Sequence, residues 1–332
     1  MKISKKILFI FLRIGISIVL LLFLFLFKQV DAKNIFESVK RADKQLLLVA
    51  FGVFFSTYVL CLYRWQMLLK AVNIHLSLKR VIISFAGGIF FSLLLPSTIG
   101  GDFMRSIDLA LHTNKPRQVA ATVLLDRLSG YTGLVILTLA ALFLGGDLVN
   151  NRSVVISVAL LTVILIVILL VLFNKFVYSK VNILLHSPRA GKIRESIKNL
   201  HQEMHQFVGH RKVIVQNILL SVVVQMITPI TFYIIALALG IHLKLIYFFI
   251  LLPIIGAITL LPISIGGLGL RENLTVIFFG PVGVAKDMAT AMSLLSFAFL
   301  FIYGILGGLI YVLTIHHRRI QPHQSSAVFQ SQ

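Results

Sequence analysis

A single cysteine, Cys61, in 332 residues excludes an internal disulfide and a CxxC redox or metal motif. It reads as a small packing residue within a helix. Acid is nearly as scarce, with 11 Asp and Glu against 31 Lys and Arg and a net charge of +20. On a soluble chain that excess would point to nucleic acid. Here the basic residues fall in the loops and ends between apolar runs, where positive-inside bias and attraction to anionic lipid account for them, so no nucleic-acid partner is expected. Charged residues of both signs make up only 13% of the chain, which excludes a soluble domain of ordinary composition. No nucleophile–base pairing suggests a hydrolase, and no cofactor motif is present. IGGLGL resembles a phosphate-cradling loop, but no strand precedes it. His201, His205 and His210 are spaced closely enough for a metal, yet lack Cys or clustered acid beside them; the plainer reading is a solvated helix face.

What is present is apolar: 58% hydrophobic residues and a mean hydropathy of +0.97. Several runs reach the roughly 20 residues a spanning helix requires. The chain reads as an all-α polytopic integral membrane protein with six full crossings, near 7–27, 46–69, 118–144, 153–173, 213–239 and 287–315. The first is too long for a signal peptide, contains Arg13 and lacks a small-residue cleavage site, so an uncleaved helix is expected. Residues 1–317 form a single membrane domain, and 318–332 are expected to be a disordered cytoplasmic tail.

Two segments remain, 81–115 and 244–284, and they contain an internal echo. Leu94–Arg105 (LLPSTIGGDFMR) and Leu260–Arg271 (LLPISIGGLGLR) agree at seven of twelve positions. Pro96, Gly100 and Gly101 in the first copy, and Pro262, Gly266, Gly267 and Gly269 in the second, should break their helices at membrane depth. Irregular backbone survives there only inside protein or beside a water-filled cavity, and a paired break in both halves points to a transport site. The basic segment 175–212, the 70–80 loop, the N-terminus and the tail all fall on the cytoplasmic side only if neither hairpin makes a net crossing. Two re-entrant hairpins are therefore expected, entering from opposite sides as an inverted repeat, with both termini cytoplasmic. The 28–45 loop would then be external, although its basic residues run weakly against that bias.

Asp102, Asp126, Glu272, Arg105, Arg127 and Arg271 all lie within spanning or hairpin segments. An ionised side chain at a helix centre costs about 2.5–3.5 kcal/mol even on a lenient scale, so these must pair with one another or with a ligand. Two uses stay open: internal ion pairs that fasten the hairpins, or a polar cavity for a charged headgroup. For the second, Arg105, Arg127 and Arg271 would bind an anion with help from half-helix N-termini, with Asp102, Asp126 and Glu272 supporting. Asp102 also suits an N-cap. Asp126 and Arg127 are neighbours on one helix and point about 100° apart, so each should meet a hairpin charge, Asp126 with Arg105 or Arg127 with Asp102. Arg64-Trp65, near a helix end, reads as an interface anchor.

Four motifs carry a resemblance. They are Pro96-x-x-x-Gly100-Gly101-Asp102-x-x-Arg105, Asp126-Arg127-x-x-Gly130, the earlier Arg64-Trp65, and Pro262-x-Ser264-x-Gly266-Gly267-x-Gly269-x-Arg271-Glu272. Their ordered set resembles the lysylphosphatidylglycerol synthase transmembrane region, also called the flippase-like domain family. The resemblance implies a membrane part like that of the multiple peptide resistance factors, associated with moving aminoacylated phosphatidylglycerol between leaflets. A stand-alone member without the synthase domain is expected, so aminoacyl transfer is not carried over. Relatives in polyprenyl-linked sugar pathways leave the lipid open. The expected function is flippase-like transport of a phosphate-bearing membrane phospholipid or lipid-linked substrate across the cell membrane. A membrane-embedded lipid transferase with Asp102 or Glu272 as base, or an accessory subunit of a lipid-modifying enzyme, is the alternative. Further partners implied are anionic lipid at the basic loops, and a second copy or a separate lipid-modifying enzyme.

Overall fold

The computed structural model describes residues 15–20, 22–24, 26, 30–94, 98–145, 152–184, 191–259 and 267–320. It is an all-α polytopic membrane protein. Among the described residues, five helical stretches are long and apolar enough to cross a bilayer: Lys44–Ala71, Pro116–Gly145, Val155–Phe173, Ile197–Ala238 and Lys286–Thr314. They match five of the expected crossings. Most of the first lies outside the described residues, although 15–20 and 22–24 are helical.

In chain order the helices are α1 (Ala32–Arg41), α2 (Lys44–Ala71), α3 (Leu78–Leu94), α4 (Thr98–Thr113), α5 (Pro116–Gly145), α6 (Arg152–Phe173), α7 (Lys175–Leu184), α8 (Gly191–Gln206), α9 (Arg211–Ala238), α10 (Leu245–Thr259), α11 (Leu270–Phe279) and α12 (Lys286–Ile320). α1 occupies what reads in sequence as a plain loop. Asp31 and Asp43 explain its limits: each carboxylate accepts from backbone N–H groups of the helix that follows, at Lys33 and at Gln45 and Leu46. α12 runs through 318–320, past the expected boundary; the tail from 321 lies outside the described residues.

Short contacts define two end faces. On one, the Asp43 N–H donates to the Ala238 carbonyl, and Asp287 accepts from the Asp31 N–H and from Asn34. On the other, Lys115 reaches the Asn73 carbonyl. The α3–α4 hairpin begins and ends on this second face, with Lys70, Lys79, Lys115 and Arg117 near its mouth. The α10–α11 hairpin begins after Leu239 and ends before Lys286, both on the first face. The hairpins thus open on opposite faces. With 17, 16, 15 and 10 residues, none of the four arms approaches the length of a full crossing.

Packing repeats the inversion. α2 runs from the first face to the second and α5 returns; α9 and α12 do the reverse. Each hairpin's first arm packs on the closing helix of the other repeat, α3 on α12 and α10 on α5, and its second arm packs on its own, α4 on α5 and α11 on α12. The α2 and α9 helices lie against each other. Glycines make the α3–α12 contact close: a Cβ on Gly307 would stand 2.7 Å from the Ala86 carbonyl oxygen, and Gly87 faces the Tyr311 ring.

Candidate functional site

The first hairpin holds its charges in one buried network. Asp102 lies in the second turn of α4, and Arg105 follows one turn on. The Arg105 Nε donates to Asp102 Oδ1 at 3.0 Å, and another of its guanidinium nitrogens donates to Asp126 Oδ2 on α5 at 3.0 Å. Arg127 donates through Nε to Asp102 Oδ2. Both pairings expected from the sequence, Asp126 with Arg105 and Arg127 with Asp102, are present together. The Arg105 guanidinium also lies 4.6 Å from the Trp65 ring centroid, where the ring face attracts it.

Arg64 and Trp65 are not an interface anchor. Both are buried, at 5% and 0% exposure. Arg64 donates to Asp126 Oδ1 at 2.7 Å and to the Ser221 hydroxyl at 2.8 Å, joining α2, α5 and α9. The Asn217 amide donates to the Arg64 carbonyl, and Trp65 Nε1 donates to Thr122. Close packing surrounds this knot, since a Cβ on Gly133 would stand 2.7 Å from the Ser221 backbone. Arg64 was the member the sequence hid: an arginine near the end of an apolar run looks like a snorkelling side chain. The Arg64-Trp65 motif itself was the available signal.

The glycine pairs do different jobs in the two copies. Gly100 and Gly101 lie inside the first turn of α4, which starts at Thr98, so they do not form the break. Pro96 lies outside the described residues. Gly101 instead faces the Gly88 carbonyl and Ser92 on the opposite arm, where no side chain fits. Gly88 in turn leaves room for Arg105, whose Cβ and Cδ lie 3.3 Å from a Cβ built there. Because the helix begins four residues before Asp102, that acid is not its N-cap. In the second copy, Gly267 and Gly269 adopt φ of 80° and 78°, the left-handed region glycine reaches without strain, and Gly269 caps α11. Pro262 and Gly266 lie outside the described residues.

Arg271 and Glu272 form a second network. Glu272 is fully buried and accepts from the Gly269 N–H at 2.7 Å, from Ser293 at 2.9 Å and from Arg271 at 2.9 Å. Arg271 also donates to Ser293 at 3.0 Å. The protein's own carboxylate therefore occupies the positive end of α11, and the pair is electrically neutral. Ser293→Ala removes one donor and one acceptor here and should cost about 1–2 kcal/mol, read as a lower unfolding midpoint in detergent.

The charge balance differs in the first network. Three guanidiniums, Arg64, Arg105 and Arg127, meet two carboxylates, Asp102 and Asp126, leaving one net positive charge among these groups. Arg105 Nη1 is buried without a hydrogen-bond partner, and the Arg127 side chain is 34% exposed. A cationic site with a buried donor and an accessible rim is suited to an anion.

Two further expectations are revised. Arg80 belongs to α3 rather than to the preceding loop, and it pairs at 2.7 Å with Asp108 across the hairpin's mouth. His201 is not on a solvated face: it is buried, its ring stacks on Tyr178 at 4.0 Å, and Nδ1 lies 3.1 Å from the Val171 carbonyl. No group of three metal-ligating side chains occurs among the described residues.

Opposed broken hairpins, each with buried ions, define a polytopic α-helical membrane protein of inverted-repeat type. The chain belongs to the lysylphosphatidylglycerol synthase TM region family, which matches residues 10–308. It is similar to a UPF0104 membrane protein of Methanothermobacter thermautotrophicus, 24% identical over 283 residues, covering 79% of this chain and 83% of the relative. A UPF0104 membrane protein of Pyrococcus horikoshii is likewise 24% identical, over 303 residues, covering 84% and 89%.

Proposed function

We propose that this protein is a flippase-like transporter that moves a phosphate-bearing lipid between leaflets and performs no chemistry on it. The observation that carries this reading is the net positive charge of the first network, with a partnerless donor on Arg105 and an exposed rim on Arg127. A lipid phosphate supplies the missing anion. The headgroup meets Arg127 first and Arg105 beneath it, while the acyl chains stay in the bilayer. Asp102 and Asp126 hold the two arginines apart and in place. Glu272 and Arg271 brace the second hairpin against α12 through Ser293. The face that carries the basic loops is cytoplasmic in this reading, with both termini on that side of the cell membrane. Aminoacyl-phospholipids and polyprenyl-linked lipids both present such a phosphate.

The test is exchange of fluorescently labelled phosphatidylglycerol in vesicles containing the purified protein, followed by quenching from outside. Wild type should make the inner-leaflet probe accessible and return it chemically unaltered. Arg127→Gln should slow exchange about tenfold or more, as expected from losing a charged hydrogen bond. Its thermal unfolding should stay close to wild type, because Asp102 keeps Arg105. Exchange no faster than in protein-free vesicles, or equal in wild type and variant, would overturn the assignment.

A further inference from the structure

Away from the charged network, the lipid-facing surface has a cleft of defined chemistry. α6 ends at Phe173, and Asn174 redirects the chain: its Oδ1 accepts from the Phe176 and Val177 N–H groups at 2.9 and 3.3 Å and starts α7. Beneath this elbow α6 and the first turn of α9 leave an open apolar groove of about 480 Å³, lined by Ile166, Leu169, Leu170, Phe173 and Ile214, with Asn174 at its polar end.

The rim of the cleft is cationic. Lys175 adjoins Asn174, and Arg211 lies one turn before Ile214 on the same helix face; both are exposed. No acidic residue occurs in the sequence between Asp147 and Glu195 to offset Lys175 and Lys180. α7 also shows the marks of an interfacial helix. Phe176 and Ile183 are 68% and 64% exposed, and Lys180 lies between them with its ammonium 4.5 Å from the Phe176 ring centroid. Apolar groups thus lie below the elbow and cations above it, the polarity of a phospholipid at the leaflet boundary.

We propose that this cleft binds an anionic phospholipid from the leaflet that α7 contacts. One acyl chain fills the groove between Ile166 and Ile214, and the phosphate pairs with Lys175 and Arg211. The site is separate from the Asp102–Arg105–Asp126 network and does not depend on the transport reading. Its ligand is a resident lipid rather than cargo.

The experiment places the full-length protein in phosphatidylcholine vesicles doped with phosphatidylglycerol carrying a photoactivatable group on one acyl chain. Crosslinked peptides are mapped after illumination. Labelling should concentrate on residues 166–173 and on Ile214. It should fall about fivefold for each charge removed in Lys175→Gln and Arg211→Gln, following the roughly 1 kcal/mol a basic residue contributes at an anionic surface. Leu170→Trp, which fills the groove and leaves the rim intact, should also suppress labelling. Equal labelling of the cleft by photoactivatable phosphatidylcholine, or wild-type labelling in the double charge variant, would overturn the proposal. Because the readout is local to these peptides, loss of transport in an Arg127 variant does not bear on it.

Discussion

Asp126→Asn should destabilise the protein by about 3–5 kcal/mol, the usual cost of removing one partner from a buried ion network. The side chain is 4% exposed and accepts from two arginines on two different helices, Arg64 at 2.7 Å and Arg105 at 3.0 Å. Asparagine keeps the shape and removes the charge. Three guanidiniums then face Asp102 alone, and Arg64 and Arg105 are both buried, at 5% and 4% exposure. The measurement is reversible unfolding in mixed micelles, with wild type and variant compared at one lipid composition. A double variant, Arg64→Gln with Asp126→Asn, restores the wild-type charge balance and should recover at least 1 kcal/mol relative to the sum of the single changes. If Asp126→Asn unfolds within 1 kcal/mol of wild type, the network is not closed as described.

The second large effect concerns backbone contact. Gly101→Ala should cost about 1–3 kcal/mol and stop exchange, because the new methyl falls well inside contact distance of the Gly88 carbonyl on the facing arm. Ser92 is also in the way, but removing its hydroxyl does not help, so Ser92→Ala should fail to rescue. Forcing the arms apart displaces Asp102, the next residue, and Arg105 one turn beyond it. Gly52→Ala is the control: nothing lies within 4 Å of the added methyl, and alanine in the interior of α2 should gain about 0.5–1 kcal/mol. Thermal unfolding and lipid exchange measured on the three variants separate contact from propensity. Unchanged exchange in Gly101→Ala would show that the arms have slack.

The crossings were legible because long, uniformly apolar runs leave few alternatives, and their ends moved by only a few residues. The hairpins were legible through the Pro–Gly echo and through loop charge, which together forbade a net crossing. The pairings of Arg105 and Arg127 followed from the small number of ions available within the membrane. What escaped was whatever depended on a partner helix far away in sequence. Arg64 takes its role from Asp126 and from Ser221 on α9, neither of which its own helix announces. Gly101 read as a helix breaker because propensity is local, whereas its use is the approach of Gly88 from the other arm. The same applies to His201, placed by Tyr178 and by the Val171 carbonyl.

The distribution of these charges along the chain bears on how the protein is made. Every ionic member of the first network lies between residues 64 and 127, and Arg271 and Glu272 are adjacent in sequence. The two arms of the first hairpin, each too short to span and each carrying ions, follow Arg64 and precede Asp126 directly. The network's two carboxylates are therefore matched by arginine as soon as α5 leaves the ribosome, before the partner α9 has been synthesised. The second hairpin needs only α12, the next helix. Each hairpin can settle into the bilayer by meeting neighbours already present or just arriving, so membrane insertion never has to hold an unmatched carboxylate in lipid while waiting for the distant half of the chain.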